Sequence, residues 1–336
     1  MFLLLMQSDS SFRSQVYRLL PSELQIEDAV PYLSRTAGGK KTVIRFFSSH
    51  DATPKVVLKG SQDAAFQRTL ELEVNILRFL QARAQEGTDL GFSTPVPMRS
   101  FEDAGWKYTA ETAAPGQPLS ELIFLHSRRT RWKILHNELL HALQSAVRIP
   151  HAFDGQAGVR EIDRAWYKLP NCVSLERRIQ SELALETAKW AHARLCAHGD
   201  FTVENVFWEC ASSKVSVIDW ELPMLGVPPF YDACTLLLSS LPALDLEPVE
   251  TTGEDRLLKQ FRAAFFGTGR WAVLTRELLQ KVTSGDTSGL WLQMLVCLVI
   301  RSNYFLWRQP AIGWQYSRLL EIAANHREDF VLHGLG

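Results

Sequence analysis

The segment HGDFTVEN, residues 198–205, decides the fold of this chain. It sets Asp200 five residues before Asn205, and the stretch VIDWE, residues 217–221, adds a second aspartate, Asp219. The first aspartate can orient and deprotonate a hydroxyl, while the asparagine and the second aspartate offer the hard oxygen ligands that Mg²⁺ prefers. This residue set suits phosphoryl transfer, where the protein positions the reactants and neutralises their charge.

The residues around these motifs predict a hairpin. We expect an apolar helical run to end at Leu195–His198, followed by a strand at Val206–Trp208 and a returning strand at Val215–Asp219. Such a hairpin would bring Asn205 and Asp219 side by side. An aspartate or asparagine beside a turn also serves as a helix cap or Asx-turn residue, so the motif is weighed against the sequence upstream.

The two stretches resemble the motifs of the aminoglycoside phosphotransferase and choline kinase-like family, whose members are relatives of protein kinases. The family's catalytic loop reads H-G-D-x-x-x-x-N, its metal-binding strand ends in I-D-W-E, and its next pattern, G-x-P-x-x-D, is one residue longer here, as GVPPFYD at residues 226–232. The resemblance covers about residues 31–240. It implies an α+β, bilobal, protein-kinase-like fold, with an antiparallel sheet and one main helix in a small N-lobe and a larger, mostly helical C-lobe.

This plan divides the chain into three parts. We expect an N-terminal extension at residues 1–30 and a nucleotide-binding N-lobe at residues 31–112. Residues 113–336 are expected to form the C-lobe, with the catalytic loop, the metal site and the acceptor-binding helices.

A lysine and a glutamate in the N-lobe complete the set that kinase-like folds need for a nucleotide. An apolar strand at Pro54–Gly60 carries Lys59 near its end, and a helix is predicted from about Asp63 to Arg83. Its apolar stripe consists of Phe66, Leu70, Leu77 and Leu80. Glu73 lies on that stripe, whereas Glu71 does not, and a carboxylate on an apolar stripe is costly unless it is paired. We therefore expect Glu73 to form an ion pair with Lys59. The resemblance implies that Lys59 contacts the nucleotide phosphates.

Two further segments are assigned to the nucleotide by the resemblance. Gly38 and Gly39 suit a tight turn between two strands, which in the family lies over the phosphates. The strand that begins at Trp106 runs into a P-G-x-P-L ending, as it does at the family's hinge, and Glu111 and Ala113 are the hinge residues assigned to nucleotide contacts.

The resemblance also implies a role for each residue of the motifs. Asp200 would accept or orient the proton of the acceptor hydroxyl, and Asn205 and Asp219 would bind Mg²⁺ bridging the phosphates of ATP or GTP. His198 is expected to stabilise the catalytic loop by hydrogen bonding rather than act as a base. Asp232 is expected to support that loop from behind.

Composition bounds the class of protein. The chain has 336 residues, 46% hydrophobic and 22% charged, which is typical of a globular protein. Its formal net charge of −1 gives no support for nucleic-acid binding through a basic surface. The five cysteines are scattered without a C-x-x-C pair, which fits a reducing cytoplasm. Leu290–Ile300 is too short to span a bilayer and is predicted to be a buried helix, so no membrane partner is expected.

The acceptor is constrained by the C-terminal sequence. No Asp or Glu occurs from Thr287 to Leu320, whereas acidic pockets are what polycations need. The stretch instead carries aromatic residues and the arginines Arg301, Arg308 and Arg318. If the C-terminal helices border the acceptor site, as the resemblance implies, a sugar, a nucleoside-like or other hydroxylated small molecule, an antibiotic among them, or an anionic substrate suits the chain better than a polycation.

Two functions remain open at this stage. The first is an ATP- or GTP-dependent O-phosphotransferase that acts on a small molecule. The second is a catalytically weak or inactive nucleotide-binding or interaction protein with the kinase fold. The intact charged set favours the first, and the missing A-P-E ending after Asp219 makes a protein kinase the weaker third option.

Overall fold

The computed structural model describes residues 30–35, 40–48, 53–125, 128–153, 160–161, 164–193, 195–243, 253–283 and 289–331. Gly38, Gly39 and all but the last residue of the predicted N-terminal extension lie outside the described residues. The chain divides into two compact units. Unit 1 runs to Gly87 and includes Thr94–Gly116, and unit 2 comprises Thr88–Ser93 and Gln117–Gly336.

Unit 1 combines an antiparallel sheet with one long helix. Its elements are β1 (Val30–Arg35), β2 (Lys41–Phe47), β3 (Pro54–Ser61), α1 (Ala64–Gln85), β4 (Pro97–Asp103) and β5 (Trp106–Thr112). The strand order is β1-β2-β3-β5-β4, and all neighbouring pairs are antiparallel. This is the architecture expected for the small lobe.

The two faces of the sheet have different chemistry because side chains alternate along each strand. One face forms an apolar cluster of Ile44, Phe46, Val56, Leu58, Tyr108 and Ala110. On the other face, Lys59 is paired with Thr109 and Val57 is paired with Glu111. Polar groups therefore gather on the face that does not carry the apolar cluster.

Helix α1 begins where its sequence provides a cap. The Asp63 carboxylate accepts the backbone N–H of Ala65 at 2.9 Å, which satisfies an amide that has no partner within the helix. The buried positions of the helix are Leu70, Glu73, Val74, Ile76, Leu77 and Leu80. The predicted burial of Leu70, Glu73, Leu77 and Leu80 is thus confirmed, whereas Phe66, in the first turn, is only half-buried.

Unit 2 is mostly helical. Its helices are α2 (Leu119–Leu125), α3 (Arg128–Ala146), α4 (Ile149–Ala152), α5 (Arg177–Ala191), α6 (Tyr231–Ser240), α7 (Gly253–Phe265), α8 (Arg270–Val282), α9 (Leu290–Arg308) and α10 (Pro310–Asn325), with 3₁₀ turns at Arg164–Tyr167, Leu241–Ala243 and Arg327–Asp329. Its strands are β6 (Gln117–Pro118), β7 (Arg160–Glu161), β8 (Cys196–Ala197), β9 (Val206–Glu209), β10 (Lys214–Val217) and β11 (Met224–Leu225). The strands form two small sheets, ordered β10-β9-β6 and β7-β11-β8.

The hairpin that carries the second motif is present. Strands β9 and β10 pair antiparallel, with Val206 opposite Val217. One local expectation was wrong: the helical run ends at Ala191, well before the catalytic loop, and Cys196–Ala197 form a strand paired with Met224–Leu225. Pairing with β11 and burial of both residues outweigh the helical pattern of the preceding sequence.

The apolar C-terminal stretch forms a core helix. Helix α9 is long and apolar enough to cross a membrane by length and composition, but 61% of that stretch is buried within the protein. Leu295, Leu298 and Ile300 are fully buried. The predicted burial is confirmed, but the length argument was wrong, because the helix continues beyond Ile300 to Arg308.

Candidate active site

Asp232 holds the loop that carries the first motif. Its carboxylate accepts the backbone N–H of His198 at 2.7 Å and that of Gly199 at 3.1 Å, and the side chain is buried at the start of α6. Burial raises the pKa of Asp232 to about 7, and the two amide hydrogen bonds oppose that rise. The expected support of the loop from behind is therefore present in the structure.

Gly199 is required by the turn itself. Its φ of +87° lies in the left-handed region, and a Cβ on this residue would lie 1.9 Å from the backbone oxygen of Leu222. The loop can therefore pass Leu222 only with glycine at this position.

His198 has a structural role in this geometry. Its Nε2 lies 2.9 Å from the carbonyl oxygen of Ile218, and its Nδ1 lies 3.3 Å from the backbone nitrogen of Asp200. The first contact requires a donor and the second an acceptor, so the ring carries its proton on Nε2. The ring is fully buried and packs edge-on against Trp220, with centroids 4.5 Å apart. The imidazole thus ties the loop to the end of the hairpin, as expected.

Asp200 and Asn205 are held together. Asn205 Nδ2 donates to the Asp200 backbone oxygen at 2.9 Å and to Asp200 Oδ2 at 3.3 Å. The amide group therefore turns its nitrogen toward Asp200, which leaves Asn205 Oδ1 as an acceptor on the other side. The Asp200 side chain is 36% exposed, in contrast to the buried His198. An accessible carboxylate of fixed orientation results.

The hairpin brings Asp219 close to Asn205. The backbone N–H of Ile218 donates to the Asn205 carbonyl oxygen at 3.0 Å, so the residue before Asp219 is bonded to the start of the hairpin. Asp219 adopts a left-handed φ of +64°. Aspartate tolerates this conformation better than most residues, and such outliers occur where a side chain must be aimed away from the regular strand. The two predicted metal ligands are thus adjacent and belong to a donor set of hard oxygens.

Lys59 lies between two buried carboxylates in unit 1. Its Nζ lies 2.5 Å from Glu73 Oε1 and 3.0 Å from Glu111 Oε1. The predicted Lys59–Glu73 pair is confirmed. The alternative, Glu71, forms an exposed ion pair with Lys107, as its position on the outer face of α1 requires.

Glu111 is a buried residue of β5. Its carboxylate is buried against Lys59, and burial raises the pKa of Glu111 to about 7, with Lys59 lowering it and Glu73 raising it further. The Ala113 backbone N–H donates to the Lys55 carbonyl oxygen at 3.0 Å. The hinge contacts assigned to Glu111 and Ala113 stay predictions. The register of β3 and β5, which puts Glu111 and Lys59 on one face, was the signal for the carboxylate's position.

Sequence reasoning did not connect Arg301 with the loop that carries Asp200. Arg301 Nη2 lies 3.7 Å from Asp200 Oδ1, and the guanidinium is almost entirely buried. The signal was a single arginine at the end of the apolar run of α9, because a buried charge requires a partner.

Comparisons with known proteins show what this chain is similar to. Residues 41–274, more than half of the chain, match the model of APH, the phosphotransferase enzyme family. The structure of aminoglycoside phosphotransferase APH(3'')-Id from Streptomyces rimosus ATCC10970 is similar, with 12% identity, a TM-score of 0.51 and coverage of 93% of this chain and 98% of that chain. This likeness confirms the kinase-like fold.

Two further structures are similar at lower TM-scores. One is the same Streptomyces rimosus enzyme in complex with ADP and streptomycin, with 14% identity, a TM-score of 0.45 and coverage of 82% of this chain and 98% of that chain. The other is an ethanolamine kinase from Plasmodium vivax, with 11% identity, a TM-score of 0.42 and coverage of 98% of this chain and 99% of that chain. No curated protein sequence matches the chain.

Proposed function

Because the chain belongs to the phosphotransferase enzyme family, we propose that it transfers the γ-phosphoryl group of ATP or GTP to a hydroxyl of a small molecule. The observation that carries this proposal is the accessible Asp200 carboxylate, which accepts a hydrogen bond from Asn205. The loop that carries Asp200 is held by Asp232, whose carboxylate accepts two of its backbone N–H groups. A carboxylate held in this way is pre-organised for a hydroxyl nucleophile.

The proposed chemistry assigns Asp200 to the acceptor. The acceptor hydroxyl oxygen forms a bond to the γ-phosphorus as the bond from that phosphorus to the β,γ-bridging oxygen breaks. The nucleoside diphosphate leaves with the electron pair, and the hydroxyl proton goes to the Asp200 carboxylate. Positioning and charge stabilisation supply most of the rate in such reactions.

Asn205 and Asp219 fit a Mg²⁺ ion. Asn205 Oδ1 is directed away from the bonds that its nitrogen makes, and Asp219 supplies a carboxylate from the neighbouring end of the hairpin. When bound, Mg²⁺ would neutralise the negative charge that develops on the phosphates. Few protein ligands are needed, because Mg²⁺ keeps several waters and phosphate oxygens.

Lys59 is the residue we assign to the nucleotide phosphates. Glu73 Oε1 lies 2.5 Å from the Lys59 ammonium. Glu73 belongs to α1, whose apolar stripe packs into the core of the unit. A fixed cation costs less ordering entropy on binding than a free lysine side chain does. Gly38, Gly39, Glu111 and Ala113 remain further candidates for nucleotide contacts.

A paired screen tests the proposal. Purified protein is incubated with Mg²⁺ and ATP or GTP and with a panel of sugars, nucleosides and hydroxylated antibiotics, and mass spectrometry detects an added phosphate. We expect one acceptor class to be phosphorylated by the wild-type chain and Asp200→Asn to lose that activity while it still binds Mg-nucleotide.

The matched control is Asp89→Asn. Asp89 is an exposed carboxylate of unit 2, and asparagine can still accept the Gly91 backbone N–H that Asp89 Oδ1 accepts at 2.9 Å. Full turnover in Asp200→Asn would sink the assignment. Nucleotide binding without turnover in the wild-type chain would favour the inactive, kinase-fold alternative.

A further inference from the structure

Arg301 occupies a closed setting beside the catalytic loop. Its guanidinium lies over the rings of Phe305 and Tyr316, 5.2 Å and 5.1 Å from their centroids. Nη1 donates to Thr235 Oγ1 at 3.3 Å, and Nη2 lies 3.7 Å from Asp200 Oδ1. Residues of α6, α9, α10 and the catalytic loop therefore meet at one cation.

A buried guanidinium must be compensated by its surroundings. Burial by itself lowers the pKa of Arg301, but Tyr316, Tyr231 and Asp200 outweigh it, and the pKa is raised above its ordinary value. The arginine therefore stays charged. Among the described residues, the carboxylate that forms an ion pair with it belongs to Asp200, which we assign to the acceptor hydroxyl.

The two oxygens of Asp200 are held from two sides. Asn205 Nδ2 donates to Oδ2, and Arg301 faces Oδ1. The contact with Asn205 is a hydrogen bond, and the contact with Arg301, at 3.7 Å, is an ion pair without a hydrogen bond. Removing either contact would let the carboxylate turn.

We propose that Arg301 is a positioning residue that orients Asp200 and that its fixed positive charge makes the acceptor position favour uncharged or anionic alcohols over cationic ones. The proposal rests on the proposed function, because it gives the acceptor of that same reaction a charge class. Arg301 acts through Asp200 and through its field, since its own side chain is only 5% exposed.

The neighbouring side chains extend the same electrostatic pattern. Tyr304 lies one turn further along α9, and Arg308 donates to its hydroxyl. Trp166 packs edge-on against Tyr304, with ring centroids 5.3 Å apart. Helix α9 carries two arginines and no acidic residue, so it contributes only positive side-chain charge beside Asp200, and such charge disfavours a cationic ligand.

Three variants separate orientation from charge. Arg301→Lys keeps the charge but loses the planar fork, Arg301→Met removes the charge at similar length, and Arg178→Met is the control on the surface of α5. We expect Arg301→Met to lower kcat by about 10- to 100-fold, as for a slightly misplaced catalytic group, with the KM for nucleotide unchanged. Arg301→Lys should recover part of kcat, and Arg178→Met should match wild type.

Charge selection is measured with alcohols that differ by one ammonium group, such as glucose and glucosamine. We expect the wild-type chain to prefer the neutral member in kcat/KM and Arg301→Met to shift that ratio toward the cationic member by about tenfold, a shift that corresponds to 1.4 kcal/mol. Arg301→Lys should keep the wild-type preference.

The outcomes separate the two proposals. An active wild type whose Arg301→Met variant has unchanged kcat and an unchanged acceptor ratio overturns the role of Arg301 alone. A wild type that phosphorylates nothing refutes the proposed function. In that case, crystal structures of wild type and Arg301→Met still decide the positioning role, which requires the Asp200 carboxylate to turn. If Arg301→Met fails to fold, Arg301→Lys carries the same kcat and orientation tests.

Discussion

Replacing Lys59 with methionine removes a cation from between two buried carboxylates. Lys59 Nζ lies 2.5 Å from Glu73 and 3.0 Å from Glu111, and all three side chains are at most 6% exposed. Removing one partner of a buried ion pair costs about 3–5 kcal/mol, because the other charge is left without compensation. One substitution here affects two pairs, so we expect Lys59→Met to lower the free energy of unfolding of unit 1 by at least about 3 kcal/mol near pH 8.

Glu73→Gln should cost less. Lys59 would keep Glu111 as its counter-charge, and the glutamine oxygen can still accept from Nζ. We expect a loss of about 1–2 kcal/mol, in the range for a weakened hydrogen bond. The difference between the two variants comes from Glu111, which sequence reasoning did not connect with this lysine.

The loss for Lys59→Met should also depend on pH. Burial raises the pKa of Glu111 to about 7, and removing Lys59 takes away the charge that lowers it. Below that pH Glu111 is neutral, so only the pair with Glu73 is broken. The variant should therefore lose less stability near pH 5.5 than near pH 8.

Urea unfolding at the two pH values measures these losses, and hydrogen–deuterium exchange of β3 and α1 assigns them to unit 1. Lys55→Met, an exposed lysine on the same strand, is the control. The reasoning is refuted if Lys59→Met costs no more than this control, or if Glu73→Gln costs as much as Lys59→Met.

Three further predictions concern Glu111, Gly199 and Asp219. The folded-state pKa of Glu111 is raised from 4.5 to about 7, so its stabilising contribution is present below the lower value and is lost as the pH rises through the higher one. Glu111→Gln should therefore remove about 3 kcal/mol from the change in unfolding free energy between pH 4 and pH 8, measured by chemical unfolding. An unchanged dependence of the unfolding free energy on pH would contradict this. Gly199→Ala should lower the melting temperature more than Gly105→Ala does. Both variants share about 1–3 kcal/mol of backbone strain, but only at residue 199 would the Cβ lie 1.9 Å from a backbone oxygen. Equal losses of stability would argue against this close approach. Asp219→Ala should weaken Mg-ATP binding at least tenfold relative to Asp89→Asn, as measured by titration calorimetry. An unaltered affinity would show that Asp219 is not a metal ligand.

Local sequence was sufficient where one pattern fixed one contact. Helical phase separated Glu73 from Glu71, because only the first lies on the apolar stripe of α1. The short hairpin β9–β10 brought Asn205 and Asp219 together, since its strands are close in sequence. Both results depend on spacing alone.

Local sequence failed where a distant partner decided the outcome. The helix before the catalytic loop ends at Ala191 because Cys196–Ala197 pair with β11 instead. The ion pair of Glu111 with Lys59 was not predicted, because it depends on the register of β5 against β3. Neither pairing can be read from the residues nearest in sequence.

The sequence by itself determined the family and the kinase-like fold, because these depend on short motifs and on periodic burial. Only the tertiary structure decided what surrounds Asp200. Arg301 reaches it from α9, about one hundred residues further along the chain. An arginine in an apolar stretch of sequence predicts that its charge has a partner, because a buried charge requires one. Which residue is that partner depends on how the helices pack.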